Sequence, residues 1–349
     1  MSFGNVFLRA QFAGLVQAAF ACRVVLQADK DASSCGSKNR KCVSALPFPF
    51  QQCIIGSIFP VHALLNSQKG DLLTVLMPEP KGTRLGQATT YAEHYSPELL
   101  QPIPRALGRD AIGDHDFQGA DIWRLYEFSW LDHRGLPPAA EVELAVPAST
   151  PSIIESKSLK LYAMSFAMTK LADAAEAEAI LTRDLSEAAG GAVQAKVNPL
   201  RTWETRVAPM PGDNLEEMLP ETKVDAYEVS PDLLERDSAA GEREVFWSTN
   251  VFRSLCPVTG QPDFASVSVH LSGEAVNPAS LLRYLASYRQ HRGFHEQCVE
   301  QIFHDLRSRF DLRVLEVQAA FTRRGGIDIN PFRSNVREIP LNSPRELRQ

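Results

Sequence analysis

From about residue 120, the order of strand and helix signals occurs twice, and this repeat limits the possible folds more than any other feature. "DIWRLYEFSWL" (121–131) and "EVELAVP" (141–147) alternate apolar and polar residues, as half-buried strands do. Two helical stretches follow, "SKSLKLYAMSFAMTKL" (156–171) and "DAAEAEAILTRDLSEAAGG" (173–191), and a glycine pair ends the second. "AVQAKV" (192–197) then predicts a return to strand.

The second half repeats this order as two strands, two helices and a strand. The five stretches are "EVFWSTNVFRSL" (244–255), "DFASVSVHLSG" (263–273), "PASLLRYLASYRQH" (278–291), "FHEQCVEQIFHDLRSRF" (294–310) and "LRVLEVQAAFTRRGG" (312–326). A proline- and acid-rich stretch around 198–240 joins the halves. The pattern predicts an α+β fold, with a duplicated antiparallel sheet and paired helices on one face. We expect a site where the two modules meet.

Composition excludes several classes of protein. The 349 residues leave room for one large or two ordinary domains, and 44% of them are hydrophobic. The net charge of -6 gives no general attraction to nucleic acid or to an anionic membrane. No apolar run approaches the roughly 18 residues of a membrane helix. We therefore expect a soluble, cytosolic protein.

Residues 1–76 differ from the rest of the chain. They contain only three of the 42 acidic residues and four of the six cysteines: Cys22, Cys35, Cys42 and Cys53. No C-x-x-C pair occurs among these cysteines, which argues against zinc, and the rest of the chain gives no support for a disulfide-forming compartment. "FAGLVQAAFAC" (12–22) faintly resembles the apolar region of a signal peptide, but it is short and Gln17 interrupts it. We interpret 1–76 as an unassigned extension, or as upstream sequence with Met77 as the real start.

The stretch "RSLCPVTGQPDF" (253–264) carries a thiol and a carboxylate at the two ends of one tight connection. An isolated cysteine most often packs as a small hydrophobic residue, and an aspartate after a proline often caps a turn. Cys256, however, follows a strand directly. A thiolate both attacks and leaves well, and Asp263 could take up its proton and return it. Cys256 and Asp263 are therefore candidates for a catalytic pair, with core packing and turn-capping as the alternatives.

Three other stretches carry candidate groups at predicted element ends. His295 and Glu296 begin a helix in "FHEQ", where an acid also suits the helix dipole. In "IIESKSLKLY" (153–162), the residues at the helix start could simply form an N-cap, or could bind an anion such as phosphate. "FTRRGGIDINPFRSN" (321–335) places two arginines before a glycine pair, as a phosphate grip or as solvated charges. No G-x-G-x-x-G follows a strand, so a Rossmann site is not indicated.

Taken in order, "IIESKSLKLY", "SLCPVTGQPDF", "GFHEQCVEQIFHDL" and "TRRGGIDINPFRSN" resemble the long, two-module NADPH-dependent 7-cyano-7-deazaguanine reductases of queuosine tRNA modification. The resemblance covers about 83–349 and leaves 1–76 uncovered. It implies tandem tunnelling-fold (T-fold) modules, with the N-terminal module at 77–220 and the module that carries the catalytic cysteine at 221–349. It further implies NADPH, a homodimer, and no metal, membrane or nucleic-acid partner.

The resemblance also implies a role for each site residue. Cys256 would form a thioimide with the substrate nitrile, Asp263 would donate a proton, and His295 would assist proton transfer. The residues implied to contact the substrate are Ile154, Glu155, Ser156, His295 and Glu296. The residues implied to contact NADPH are Ser156, Lys157, Arg324 and Gly325.

The chemistry of a nitrile agrees with these residues. Thiolate addition converts a poorly reactive nitrile into a C=N group that accepts hydride, and sulfur leaves more readily than a serine alkoxide would. Three alternatives remain open: a nitrilase-type hydrolase that uses no NADPH, a zinc-dependent cyclohydrolase of the same fold, and a non-catalytic purine-binding module. The covered region contains only Cys256, Cys298 and scattered histidines as soft metal ligands. A purine-binding module would have no need for Cys256 with Asp263.

Overall fold

An eight-stranded sheet in the order β5-β3-β2-β10-β9-β8-β7-β6 forms the centre of the protein, and every neighbouring pair is antiparallel except β6–β7. The computed structural model describes residues 91–113, 115–201, 207–340 and 343–349, so the predictions for 1–76 lie outside the described residues. The strands are β1 (Pro102–Pro104), β2 (Gln118–Ser129), β3 (Ala139–Pro147), β4 (Ser152–Ile154), β5 (Gln194–Pro199), β6 (Asp213–Asn214), β7 (Arg243–Leu255), β8 (Pro262–Gly273), β9 (Leu312–Phe321) and β10 (Ile327–Ser334). Strands β1 and β4 pair separately.

Six α-helices accompany the sheet in the described residues. They are α1 (Ala106–Ile112), α2 (Ser156–Ser165), α3 (Ala174–Ala189), α4 (Leu215–Met218), α5 (Pro278–Ser287) and α6 (His295–Arg309). Short 3-10 turns lie at Pro97–Leu99, Pro231–Leu233 and Tyr288–Gln290. The predicted order of two strands, two helices and a strand therefore occurs in both halves of the chain.

The two helix pairs also share side-chain detail. Helices α2 and α5 each carry serine at the third and tenth positions and tyrosine at the seventh. The hydroxyl of Tyr162 donates to Asp184 of α3 at 2.6 Å. In the second pair, the hydroxyl of Tyr284 donates to Asp305 of α6 at 2.5 Å. Both aspartates are the eleventh residues of their helices, so the internal repeat extends to buried hydrogen bonds.

Each helix pair covers its own apolar core, and the two cores lie on the same face of the sheet. The first core joins β2 and β3 to α2 and α3, and the second joins β8 and β9 to α5 and α6. Strand β10 connects them, because its Ile327 and Ile329 belong to the first core while Phe332–Ser334 pair with β9. The two halves therefore share one continuous sheet.

Two parts of the prediction differ from the structure. The first helix, expected to reach residue 171, ends at Ser165, because the following chain turns and pairs with Leu131 through backbone bonds at Thr169 and Leu171. Strand β9 ends at Phe321 rather than at the glycine pair, and β10 beyond it was not predicted. Pro331 argues against a central strand. It is tolerated because β10 pairs with β9 only at Phe332–Ser334, beyond the proline.

The opposite face of the sheet is polar and is covered by two chain segments. Ser266 and Ser268 alternate with core residues of β8 and point to this face. The Ser268 hydroxyl donates to the Pro211 carbonyl at 2.8 Å, and the Ser266 hydroxyl donates to Glu346 at 2.5 Å. Within the described ranges, no helix is long and apolar enough to cross a bilayer.

The duplicated tyrosine–aspartate bonds generate a stability prediction. Replacing Tyr284 with Phe removes the fully buried donor to Asp305 Oδ2, while the Gln301 amide still donates to Asp305 Oδ1. We expect the free energy of unfolding to fall by about 1–3 kcal/mol, measured by urea denaturation. Tyr227→Phe is the control, because its exposed hydroxyl donates only to the Val224 carbonyl and its loss should cost less than about 0.5 kcal/mol. Equal effects in the two variants would contradict the prediction.

Candidate active site

A cavity of about 160 Å³ lies between the N-terminal ends of α2 and α6. Its apolar wall includes Trp123 of β2 with Ile327 and Ile329 of β10. Nine of the ten site residues predicted from the sequence line this cavity: Ile154, Glu155, Ser156, Lys157, Cys256, Asp263, His295, Glu296 and Arg324. The tenth, Gly325, directly follows Arg324. Residues from both halves of the chain therefore form one site.

The loop between β7 and β8 holds Cys256 next to the start of α6. The Cys256 N–H donates to the Gln261 carbonyl at 2.9 Å, and Gly260 closes the turn with a backbone φ of 68°. Leu255 exchanges backbone bonds with His291 and Gly293, at 2.8 and 3.2 Å. These bonds fix the cysteine beside the segment that leads into His295. Cys256 is a partly exposed free thiol on the cavity wall, whereas Cys298 is fully buried.

Asp263 is a buried carboxylate held between Arg324 and His295. Its Oδ1 lies 2.6 Å from Arg324 Nη1, and its Oδ2 lies 3.4 Å from His295 Nε2. Burial alone would raise the pKa of Asp263, but His295 and Arg324 together hold the pKa below its ordinary value. The carboxylate is therefore ionised at neutral pH and can accept a proton. Arg324, which is also a predicted cofactor contact, donates to the Asp263 carboxylate and to the Gln261 side chain.

His295 is the first residue of α6, and its ring is fixed by stacking. The ring lies 3.8 Å from that of Phe321 with an angle of 4° between the planes. Its Nε2 faces Asp263, while its buried Nδ1 has no hydrogen-bond partner among the residues that the structure describes. The imidazole thus keeps one nitrogen available to a ligand or a water molecule.

Glu296 follows as an almost completely enclosed carboxyl group, with 3% of its surface exposed. Burial, with a smaller contribution from Asp121, raises the pKa of Glu296 to about 8, and the nearby Arg105 and Arg333 oppose this rise. A carboxyl group with this pKa can change its protonation when a ligand binds. When ionised it can accept two N–H donors from one edge of a ring.

At the opposite side of the cavity, Glu155 is the N-cap of α2. Its two oxygens accept from the Lys157 and Ser158 N–H groups at 2.8 and 2.7 Å, as the capping interpretation predicted. Glu155 is 1% exposed and also lines the cavity, and each carboxylate oxygen has a second lone pair for a ligand.

Lys160 is a cavity residue that the sequence analysis missed. It lies one helical turn after Ser156, so the spacing of four residues could have identified it. Burial and then Arg324 lower the pKa of its ammonium group, while Glu155, Asp263 and Cys256 act in the opposite direction. Gly325 lies beside it with a φ of 60°, and a Cβ there would be 3.4 Å from Lys160 Cδ. Lys157, Lys160 and Arg324 thus contribute three basic side chains to the cavity lining.

No cluster of three or more His, Cys, Asp or Glu side chains with metal-binding geometry occurs in the part of the chain that the structure describes. The titratable groups around this cavity are a thiol, carboxyl groups, an imidazole, two lysines and an arginine.

Comparison with known proteins places two family models on the chain. Residues 91–197 match the model described as nitrile reductase, 7-cyano-7-deazaguanine-reductase N-term, and residues 262–339 match the model described as QueF-like protein. A Bordetella parapertussis protein named NADPH-dependent 7-cyano-7-deazaguanine reductase is 44% identical over 76% of this chain and 97% of its own length. Proteins of the same name from Dechloromonas aromatica and Burkholderia multivorans are each 43% identical, over 80% and 77% of this chain and 99% of their own lengths. The chain belongs to the family of NADPH-dependent 7-cyano-7-deazaguanine reductases.

Proposed function

We propose that this protein reduces the nitrile of 7-cyano-7-deazaguanine to the aminomethyl group, with two NADPH per turnover, as a step in queuosine biosynthesis. The observation that carries the proposal is the pairing of an accessible thiol, Cys256, with an ionised carboxylate, Asp263, across one loop of a cavity that also contains Glu296. A non-catalytic purine-binding site would need Glu296, but it would not need Cys256 or Asp263.

Asp263 begins the reaction by accepting the proton of Cys256. The thiolate adds to the nitrile carbon, one C–N π bond breaks, and the nitrogen takes a proton to give a neutral thioimide. Asp263 returns this proton, and His295, 3.4 Å from its Oδ2, assists the transfer. The ion pair with Arg324 favours the ionised form of Asp263 that this first step requires.

NADPH would supply hydride here, and two molecules per turnover would provide the four electrons that separate a nitrile from a primary amine. After the first hydride the nitrogen would take a proton from solvent, the C–S bond would break with Cys256 leaving as thiolate, and the resulting imine would be reduced in turn. Glu296, Glu155 and their neighbours hold the ring during the exchange of cofactor, because a free imine would hydrolyse in water.

Recognition of the ring is assigned to the N-terminal ends of the two helices. Glu296 accepts the N–H groups of the deazaguanine edge, and the unpartnered Nδ1 of His295 lies beside it. Ile154, Glu155 and Ser156 contact the ring from α2. These residues line one cavity, as a largely buried planar ligand requires.

The basic side chains that line the cavity fit the phosphates of a dinucleotide. Ser156 and Lys157 lie at the start of α2, and Arg324 with Gly325 lies in the segment after β9. We add Lys160 to these cofactor contacts, because it is buried between them.

The remaining features of the proposal concern architecture and context. We propose that the two halves are tandem T-fold modules, 77–220 and 221–349, and the separate apolar core of each half supports this division. We further propose a cytoplasmic homodimer that acts on a small molecule, without nucleic acid or membrane.

The first prediction concerns the nucleophile. With the nitrile and no NADPH, intact-mass spectrometry should show one substrate adduct on the wild-type protein, and none on Cys256→Ser, which should also lose turnover. Cys298→Ala is the matched control, because the buried Cys298 thiol, whose pKa burial raises to about 12, should contribute nothing to the adduct. An adduct that depends on Cys298, or an active serine variant, would refute the assignment.

The second prediction separates Arg324 from Lys157. Arg324→Ala removes the cation beside Asp263, so the pKa of this base should rise and the acid side of the pH profile for adduct formation should move to higher pH. The measurement is the rate of adduct formation without NADPH between about pH 4 and 8. Lys157→Ala should leave this profile in place and mainly raise the KM for NADPH. Identical profiles for Arg324→Ala and wild type would count against the role of the ion pair.

The third prediction concerns stoichiometry. Absorbance at 340 nm and chromatography on one sample should give two NADPH consumed per amine formed, since each cofactor carries one hydride. Glu296→Ala should mainly weaken nitrile binding and leave this ratio unchanged. A ratio near one, or a carboxylic acid product without NADPH consumption, would rule out the reductase and favour a nitrile hydrolase.

A further inference from the structure

A buried cluster of five charged side chains lies directly behind Glu296. Three arginines and two acids form it: Arg105, Arg109, Asp121, Glu300 and Arg333. Arg333 is completely enclosed and lies 2.8 Å from Asp121 and 2.7 Å from Glu300. Arg105 approaches Asp121 at 2.6 Å, and Arg109 binds both oxygens of Glu300 at 2.7 and 3.0 Å.

The cavity and the cluster lie on the same structural elements. Trp123 pairs with Ile329 at the cavity wall, and two residues further along the same strands Asp121 pairs with Pro331. On α6, Glu300 lies one helical turn after Glu296. The charges of Asp121, Arg105 and Arg333 all act on Glu296. The cluster is therefore the electrostatic environment of this carboxyl group.

The charges of the cluster do not balance without Glu296. Three guanidinium groups face two carboxylates, Asp121 and Glu300, and the arginines hold the pKa of Glu300 at about 2 although burial alone would raise it. One positive charge remains, and an ionised Glu296 cancels it. The other titratable groups around Glu296 are His295 and Cys298 on α6 and those that line the cavity with it: Glu155, Lys157, Lys160, Cys256, Asp263 and Arg324.

We propose that this five-residue cluster is the counter-charge of Glu296 and allows it to become a carboxylate when the deazaguanine edge binds. Asp121 and Arg109 act as positioning residues: the negative charge of Asp121 opposes the ionisation of Glu296, and the positive charge of Arg109 favours it. The inference rests on the proposed function. Two ring N–H donors need an acceptor on each oxygen, and a neutral carboxyl group would present its own O–H to one of them. The surplus positive charge makes the ionised form attainable in an enclosed site.

Binding should therefore release a proton. With a pKa of about 8, Glu296 is about nine-tenths protonated at pH 7 in the free protein, so binding of the neutral nitrile should expel about 0.9 proton. The apparent affinity should rise about tenfold between pH 7 and pH 9, because this protonation penalty disappears as pH rises through the pKa.

The test uses calorimetric titration of 7-cyano-7-deazaguanine into the full chain carrying Cys256→Ala, which prevents the covalent step. Titrations in buffers of different ionisation enthalpy give the number of protons released. Asp121→Asn raises the surplus positive charge of the cluster. It should reduce the number of protons released on nitrile binding toward zero and make this binding several-fold tighter at pH 7. Arg109→Gln removes this surplus positive charge. It should keep the number of protons released near one and make nitrile binding several-fold weaker at pH 7.

Two controls complete the test. Glu296→Gln should release no proton at any pH, and Arg134→Gln, an exposed arginine that pairs with Asp132, should behave as the parent. Opposite shifts in Asp121→Asn and Arg109→Gln support the proposal, since general damage to the fold would weaken binding in both.

Shifts in the same direction, or the same proton release in the parent and both variants, would overturn the role of the cluster. In that case the Cys256 adduct of the otherwise unchanged chain would still support the proposed function. If the unchanged chain forms no adduct and the Cys256→Ala chain binds no nitrile, both inferences are overturned together.

Discussion

The enclosed guanidinium of Arg333 imposes the condition on which the rest of the structure depends, because a buried charge must be met by opposite charge within the protein. Arg333 extends from β10 to Asp121 of β2 and to Glu300 of α6. These contacts fix the direction of α6 above the sheet. The first residues of that helix, His295 and Glu296, are thereby held over the same strands whose isoleucines line the cavity.

The internal repeat separates what the fold needs from what the chemistry needs. Both helix pairs keep the buried tyrosine–aspartate bond and the capping side chain, but the capping residue is Glu155 in one and Asn277 in the other. Helix α3 begins with two alanines where α6 begins with His295 and Glu296. The structural residues thus recur, while the reactive groups occur at one end of each pair and meet in a single cavity.

The strands and helices with strong alternation or helical spacing could be predicted from the sequence. Residues that line the cavity could be selected as candidates because they stand at element ends, and their roles remain predictions. Strand β10 could not, since a glycine pair precedes it and Pro331 interrupts its pattern. The charged cluster was also missed. Nothing local distinguishes a buried Asp121 or Arg333 from a solvated one, because their burial depends on partners distant in sequence. Lys160 was missed although its helical spacing was visible.

The position of β10 has a consequence for synthesis on the ribosome. Strand β2 ends at Ser129 and lies between β3 and β10 in the finished sheet. Strand β3 follows it directly in the chain, but β10 starts only at Ile327. During the intervening translation, at roughly 5–20 residues per second, β2 presents an open edge with unpaired backbone groups. The first half can form its apolar core early, but the cavity wall closes only when nearly the whole chain has been made. Chaperones that shield strand edges would therefore act on this nascent chain during the interval between the two strands.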